Sequence, residues 1–416
     1  MSEADVIVVG GGPAGASTSY HLARQGYDVT VLEKSTFPRD KVCGDGLTPR
    51  AVGELIRMGI DTTGWSRNLG IRGYGAGNFV EVPWPELASM PSYGLAKRRR
   101  ELDHILINHA VGAGARLEEG VQVTGALHHE RTGRVIGVKA TKNGEACTYR
   151  ARYVVDAGGV SARLATSVGR VHNRKRPMGV AYRTYMKSPL ASSDFMESQL
   201  ELWEGEVGKS TVAPGYGWAW AVEDGVINVG LGSLSSKGAP KGLDYKDMFS
   251  TWMKNAPEEW EFSEENLLEP LRGAALPMEF NRQPLYADGL LLVGDAGGMV
   301  SPFNGEGIAY ALQSGRLAAD ALGQALSRTS AVAAERALAY YAKNMKDELG
   351  GYYSLGRVFA ALIERPEIMH ICVTYGLPRP TLMRFVMRLL SDAYDKEGGD
   401  WMDRLIASLA KVAPKA

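Results

Sequence analysis

Apolar residues along this chain fall into three textures, and each predicts a different kind of element. Continuous runs come first: Val6-Ile7-Val8-Val9 after Asp5, then Val29-Thr30-Val31-Leu32, and far downstream Leu290-Leu291-Leu292-Val293. Short runs of this kind suit strands buried on both faces of a parallel sheet. The second texture alternates. Val180 to Met186, Gln199 to Trp203, Gly217 to Val222 and Val226 to Leu231 read as strands, and a period of two puts Tyr216, Trp218 and Trp220 on one face. Phe79-Val80-Glu81-Val82 joins them, in a segment from Asp61 to Pro91 rich in glycine, proline and aromatics. Val121 to Val138 and Cys147 to Val155 also read as strands, with hairpin turns at Thr132-Gly133 and Asn143-Gly144.

The third texture is helical. Residues 51 to 60 look helical, and Lys97 to Asp103 opens a helix with Leu102, Ile105, Leu106 and His109 or Ala110 on its apolar face. Ile308, Ala311, Leu312 and Leu322 mark another. From Ala331 onward helices dominate, with stripes at Leu355, Val358, Phe359 and Leu362, at Leu382, Phe385, Val386 and Leu389, and at Trp401, Leu405, Ile406 and Leu409.

Glycines punctuate the continuous runs. Gly10, Gly12 and Gly15 have the GxGxxG spacing: the first permits the tight turn, the second lets backbone approach a pyrophosphate, and the third lets helix pack on strand. Glu33, at the end of the next run, is placed to accept from ribose hydroxyls. Asp156-Ala157-Gly158-Gly159 forms a second turn, and Gly294-Asp295 with Asn304-Gly305-Glu306-Gly307 a third, where a new helix start offers free N–H groups to an anion. Two separated sites for one long dinucleotide point to FAD. The expected class is α/β (α+β overall), with a Rossmann-type FAD-binding domain from 1-60, 95-172 and 273-330. An antiparallel-sheet substrate domain from 61-94 and 173-272 is inserted in it, and 331-416 forms a C-terminal helical region.

Composition narrows the partners. Lys plus Arg and Asp plus Glu both total 47 in 416 residues, so the basic excess of a nucleic-acid binder is missing. Three scattered cysteines and seven histidines without ligand spacing argue against a disulfide framework or a metal. A first strand almost at the start leaves no room for a signal sequence, and no apolar run spans a bilayer. The expectation is a cytoplasmic monomer, with peripheral membrane contact through the C-terminal stripes as an added option, Arg384 and Arg388 lying opposite one of them.

One loop is unusually loaded. Phe37 to Arg50 carries Arg39, Lys41, Cys43 and Asp45 among glycines, which would let backbone press on a flat ring with a thiol beside it. Its wording, FPRDKxCGDGLTPRAV from Phe37 to Val52, resembles the geranylgeranyl reductase family of FAD-dependent oxidoreductases, built like p-hydroxybenzoate hydroxylase, and within it the actinobacterial members acting on menaquinone. Arg99 to Asp103, Pro214 to Trp218, Gly294-Asp295 and Asn304 to Gly307 carry the same resemblance. Two departures stand out: Ala157 separates Asp156 from Gly158, and the family's YxWxFP reads Tyr216-Gly217-Trp218-Ala219-Trp220-Ala221.

The resemblance implies a polyprenyl lipid substrate whose C=C bond takes hydride from reduced FAD, with NAD(P)H or a ferredoxin-like protein as electron donor. Cys43 or an ordered water is the expected proton donor, and Cys43, Gly44, Tyr216 and Trp218 are expected at the reacting centre. Cofactor contacts are expected from Gly10, Gly12, Pro13, Ala14, Gly15, Glu33, Lys34, Arg39, Cys43, Gly44, Asp45 and Gly46. Further along they come from Arg99, which turns inward to a phosphate, and from Val123, Asp156, Gly158, Gly294, Asp295, Pro302, Gly305, Gly307 and Ile308. The rival readings are a flavin-dependent halogenase or aromatic hydroxylase on the same scaffold, and a flavoprotein that only binds lipid. Trp218 to Glu223 half matches the halogenase WxWxIP, with Glu223 at the proline.

Overall fold

The continuous apolar runs lie side by side. In the computed structural model, which describes residues 3–234, 244–363, 365–414 and 416, Ala4–Val9 pairs in parallel with Val29–Leu32 on one side and Glu145–Asp156 on the other. The sheet continues to Arg116–Glu118 at one edge and through Leu290–Leu292 to Tyr286–Ala287 at the other, where the last pairing is antiparallel. Val6, Val8, Val31 and Leu291 are fully buried, as a strand covered on both faces requires. Glu145–Asp156 is long enough to serve twice: its first half leaves the parallel sheet to form an antiparallel meander with Val135–Lys142 and Val121–His128.

Helix Pro13–Arg24 crosses this sheet and packs on Ile308–Leu326 at very short range. Small residues allow it: Ser17 Oγ donates to the Leu312 carbonyl at 2.7 Å, and a Cβ on Gly315 would lie 2.6 Å from the Ala14 carbonyl oxygen. The two helix starts thereby come to the same side of the sheet.

The alternating runs build a second, seven-stranded sheet in the order Arg272–Pro277, Met178–Lys187, Val226–Leu234, Tyr216–Glu223, Phe195–Gln199, Gly70–Gly75, Asn78–Pro83. It is antiparallel except where Phe195–Gln199 meets Gly70–Gly75, because the two inserted stretches of chain join there. Two boundaries differ from expectation. Arg272–Pro277 pairs with Met178–Lys187, so the second sheet reaches past residue 273. The run Gln199 to Trp203 splits, because Glu201 turns inward to accept from the Ala76 N–H at 2.6 Å and Leu202–Trp203 pairs elsewhere, with Val212–Ala213. The stretch 235–243 of the expected substrate domain lies outside the described residues.

The C-terminal helices have no core of their own. Helix Ala331–Ile363 lays Leu338, Tyr341, Met345 and Tyr353 into the core of the first sheet, whereas Val373, Leu377 and Met387 pack with Val80, Val82, Trp84 and Met196 of the second. They tie the two sheets together across a space that stays open between them.

Candidate active site

That space is a cavity of about 1050 Å³, lined by the three glycine turns, the Cys43 loop, the aromatic strand and the C-terminal helices. Its floor is the first turn. Gly10 has φ +102°, and a Cβ there would sit 2.5 Å from the Ala157 carbonyl oxygen; a Cβ on Gly15 would sit 1.9 Å from that of Gly10. Gly12, Pro13 and Ala14 therefore open the helix directly onto the cavity, with no side chain capping its free N–H groups. Beside Gly12 stand two guanidinium groups. Asp103, with no solvent exposure, grips Arg99 through both oxygens at 2.6 and 2.8 Å and Arg39 at 2.9 Å. An uncapped helix start next to two held cations is a site for a pyrophosphate. Arg99 is turned inward and nearly fully buried, with Asp103 as the residue that keeps it there. Glu33 lines the same end; its Oε2 accepts from Gly11 N–H at 2.9 Å and from Arg39 at 3.3 Å, locking the turn to the next strand.

The Cys43 loop is clamped onto the second sheet. Gly44 and Cys43 carbonyls accept from Trp220 Nε1 at 2.7 Å and Asn228 Nδ2 at 2.9 Å, while Arg183 holds Asp40 at 3.1 Å. Asp45 enters the positive-φ region at 62° and is wholly buried. It accepts from Tyr185 Oη at 2.6 Å, Asn228 Nδ2 at 2.9 Å and Arg99 N–H at 3.1 Å. Burial pushes its carboxyl up to about 6, and the hydrogen bonds from Tyr185 and Asn228 hold it from rising further. Cys43 Sγ accepts from Asp45 N–H at 3.4 Å.

Tyr216, Trp218 and Trp220 share one face, as alternation requires, with Trp218 and Trp220 stacked at 5.8 Å between centroids. Tyr216 Oη donates to the Asn304 carbonyl at 2.6 Å, which fastens the third turn to this wall. That turn brings Asp295, Pro302, Gly305, Gly307 and Ile308 to the cavity, again at an uncapped helix start. Lys34, Val123 and Gly158 line it too.

Three expected residues stand behind the wall instead. Asp156 is fully buried and spends both oxygens on the N–H groups of Gly158 and Ala165, at 2.9 and 2.8 Å; it braces the second turn, and the wall belongs to Ala157 and Gly158. Gly15 and Gly294 are contact points between helices and turns, packed on Gly10 and on Ala14 with Ala311. Reading the sequence alone missed Asn228, Arg183, Thr48 and Glu306, all of which line or clamp the site. A signal existed for two: Asn228 and Arg183 interrupt apolar strand runs and are almost fully buried.

Residues 3–222 match the family model for an FAD binding domain. The chain belongs to this FAD-binding family. FAD is the cofactor of this family, and the two uncapped helix starts with their guanidinium pair fit it. Over 407 residues the flavoprotein is 35% identical to menaquinone reductase of Mycobacterium tuberculosis, across 97% of this chain and 94% of that protein. Its fold is similar to a solved geranylgeranyl bacteriochlorophyll reductase-like protein of Thermoplasma acidophilum, with TM-score 0.79, 22% identity and coverage of 98% and 100% of the two chains. A flavin-dependent brominase superposes at TM-score 0.73 with 21% identity over 99% and 98% of the chains. These two likenesses speak to fold alone. Among the described residues no group of three His, Cys, Asp or Glu side chains is placed to hold a metal ion.

Proposed function

We propose that this flavoprotein saturates a C=C bond of a polyprenyl chain, such as an isoprene unit of menaquinone or a geranylgeranyl group. The observation that carries the reading is continuity. The cavity that starts at the glycine turn passes Trp218 and Trp220 and runs on between the second sheet and helix Pro380–Leu390. There its wall is Val80, Val82, Met196, Leu377 and Met387, and none of the described lining residues from strands Asn78–Pro83 and Phe195–Gln199 or helix Pro380–Leu390 carries a charge. An apolar slot joined to a dinucleotide site accommodates a long hydrocarbon with its reacting bond at the junction.

Bound FAD supplies hydride there. Gly44 and Gly46, held under Trp220 and Met196, give the junction a wall of main chain, Trp218 and Trp220 give it a flat apolar face, and the slot excludes water. Substrate enters near Leu382, which lines the slot and is 42% exposed; Ile371 and Tyr375 are exposed in the same helical stretch. No described helix is long and apolar enough to cross a membrane; the reading we favour is a monomer that meets a bilayer peripherally. The halogenase reading has less support: Glu223 takes the place of its signature proline and pairs with Arg98 at 2.6 Å.

The test is anaerobic. Dithionite-reduced protein is mixed with menaquinone and geranylgeranyl compounds, which makes the outcome independent of the natural electron donor, and products are weighed. A gain of two hydrogens that persists after the quinone ring is reoxidised in air supports the reading, whereas a product formed only with oxygen, gaining an oxygen or a halogen, overturns it.

A further inference from the structure

Addition of hydride to an isolated alkene needs a proton for the neighbouring carbon, and Asp45, Tyr216, Cys43 and Glu306 are four of the ionisable side chains on the cavity wall. Asp45 has both oxygens engaged by donors. Tyr216 gives its hydroxyl hydrogen to Asn304, and Cys43 lies against the Asp45 N–H. Glu306 differs. It lines the cavity in the loop that opens helix Ile308–Leu326, its Oε1 accepts from Thr48 Oγ1 at 2.5 Å, and its Oε2 is buried with no hydrogen-bond partner.

We propose that Glu306 is the catalytic acid that protonates the alkene carbon beside the one that takes hydride. This rests on the prenyl-reductase reading above. The balance closes: reduced flavin provides the hydride with its electron pair, and the alkene π pair becomes the bond from the neighbouring carbon to the proton. The Glu306 O–H bond breaks, and the carboxylate then regains a proton from water. One oxygen is anchored by Thr48 and the other has no hydrogen-bond partner to hold its proton back.

The surroundings keep a large share of the acid protonated near neutrality. Burial pushes Glu306 up to about 7, with Thr48, the Arg50 cation and Asn304 pulling down and Asp392 pushing up. Tyr216 faces it from the aromatic strand, Tyr310 from its own helix, and Tyr352 and Tyr353 from helix Ala331–Ile363. Asp392 is in turn held by Arg50 at 3.0 Å and Tyr310 at 3.2 Å.

Glu306→Gln and Thr48→Val test the assignment, with reoxidation of reduced FAD by a geranylgeranyl compound, which carries no quinone ring, in anaerobic micelles as one readout and an infrared titration of protonated carboxyl as the other. The expected results are an FAD-loaded Glu306→Gln slowed at least about 100-fold, and a wild-type rate that falls as pH rises through about 7. Loss of the Thr48 hydrogen bond, which favours the charged form, moves that fall to higher pH. The infrared band should titrate in step, move with Thr48→Val and vanish in Glu306→Gln. Should Glu306→Gln fail to hold FAD, the Thr48→Val profile and band decide. A wild-type rate in Glu306→Gln, or a carboxyl band that shifts in Thr48→Val while the rate profile stays, overturns the assignment alone. Wild-type protein inert towards every prenyl compound overturns the reductase reading itself.

Discussion

The two ends of the cavity are made of different material. At the dinucleotide end the wall is main chain, from Gly10, Gly12, Gly158, Gly305 and Gly307, with the nearby charges of Arg39 and Arg99 balanced on Asp103. At the hydrocarbon end the wall is side chain, drawn from the second sheet and the C-terminal helices. The first end depends on backbone angle and on atoms nearly touching, so it tolerates no added volume. The second depends on packing between distant segments, so it tolerates altered shape but no charge.

The largest expected effect strikes the charge balance of the first end. Asp103→Ala leaves Arg99 buried without its partner, which costs about 3–5 kcal/mol, read as a lowered urea midpoint together with loss of bound flavin. A variant that unfolds at the wild-type midpoint would show that Asp103 only accompanies the guanidinium pair. Next comes Gly15→Ala, whose Cβ would be driven to 1.9 Å from the Gly10 carbonyl oxygen. It should cost about 3 kcal/mol and release FAD; retention of both stability and flavin would break the contrast between the two ends.

At the junction between them, two buried carboxyls make the contrast sensitive to pH. Burial raises Asp45 from its usual 3.8 to about 6 and Glu306 from 4.5 to about 7. Between each pair of values the folded protein binds more protons than the unfolded chain. The stability each contributes is therefore complete below about pH 4 and lost as pH rises through 6 and 7. Asp45→Asn and Glu306→Gln should each flatten this fall, by on the order of 2 kcal/mol between pH 5 and 8, in thermal unfolding of FAD-free protein. An unaltered slope in both would mean that neither group is buried as a carboxylic acid.

The same difference in material explains what the amino-acid sequence reveals. Gly10, Gly12, Glu33, the Cys43 loop and Asp295 belong to local signals: a few adjacent residues set a turn whose backbone lines the cavity, so spacing suffices to place it there. The aromatic strand was legible for the same reason, since alternation alone puts Tyr216, Trp218 and Trp220 on one face. Asp156 misled because a carboxylate at a strand end can face either cofactor or backbone, and here the N–H groups of Gly158 and Ala165 take it. Glu306 sits inside a recognised turn, but its role depends on Thr48, Arg50 and Asp392, which arrive from other segments. The slot was illegible for a related reason. Leu382 and Val386 read as part of an ordinary helix stripe until the fold sets their helix against Val80 and Met196 and makes them slot wall.

The hydrocarbon end gives the smallest effect and the most selective one. Met383 is half-buried, lines the slot and packs against the cluster of Val80, Trp84 and Met387. Met383→Lys puts a cation where the described walls offer it no partner, so the long side chain must either reach for solvent past Leu382 or burden the slot with an unpaired charge. Either way, a chain threading the slot loses apolar contact worth about 1–2 kcal/mol. The expected outcome is a roughly tenfold fall in kcat/KM for prenyl substrate, with bound FAD, its oxidation by dioxygen and the urea midpoint all close to wild type. Met383→Leu, which keeps the volume and adds no charge, should restore the rate. If Met383→Lys instead lost flavin, the two ends would share one packing unit and the division between main-chain and side-chain recognition would fail; if it changed nothing, the substrate would lie elsewhere than between the second sheet and helix Pro380–Leu390.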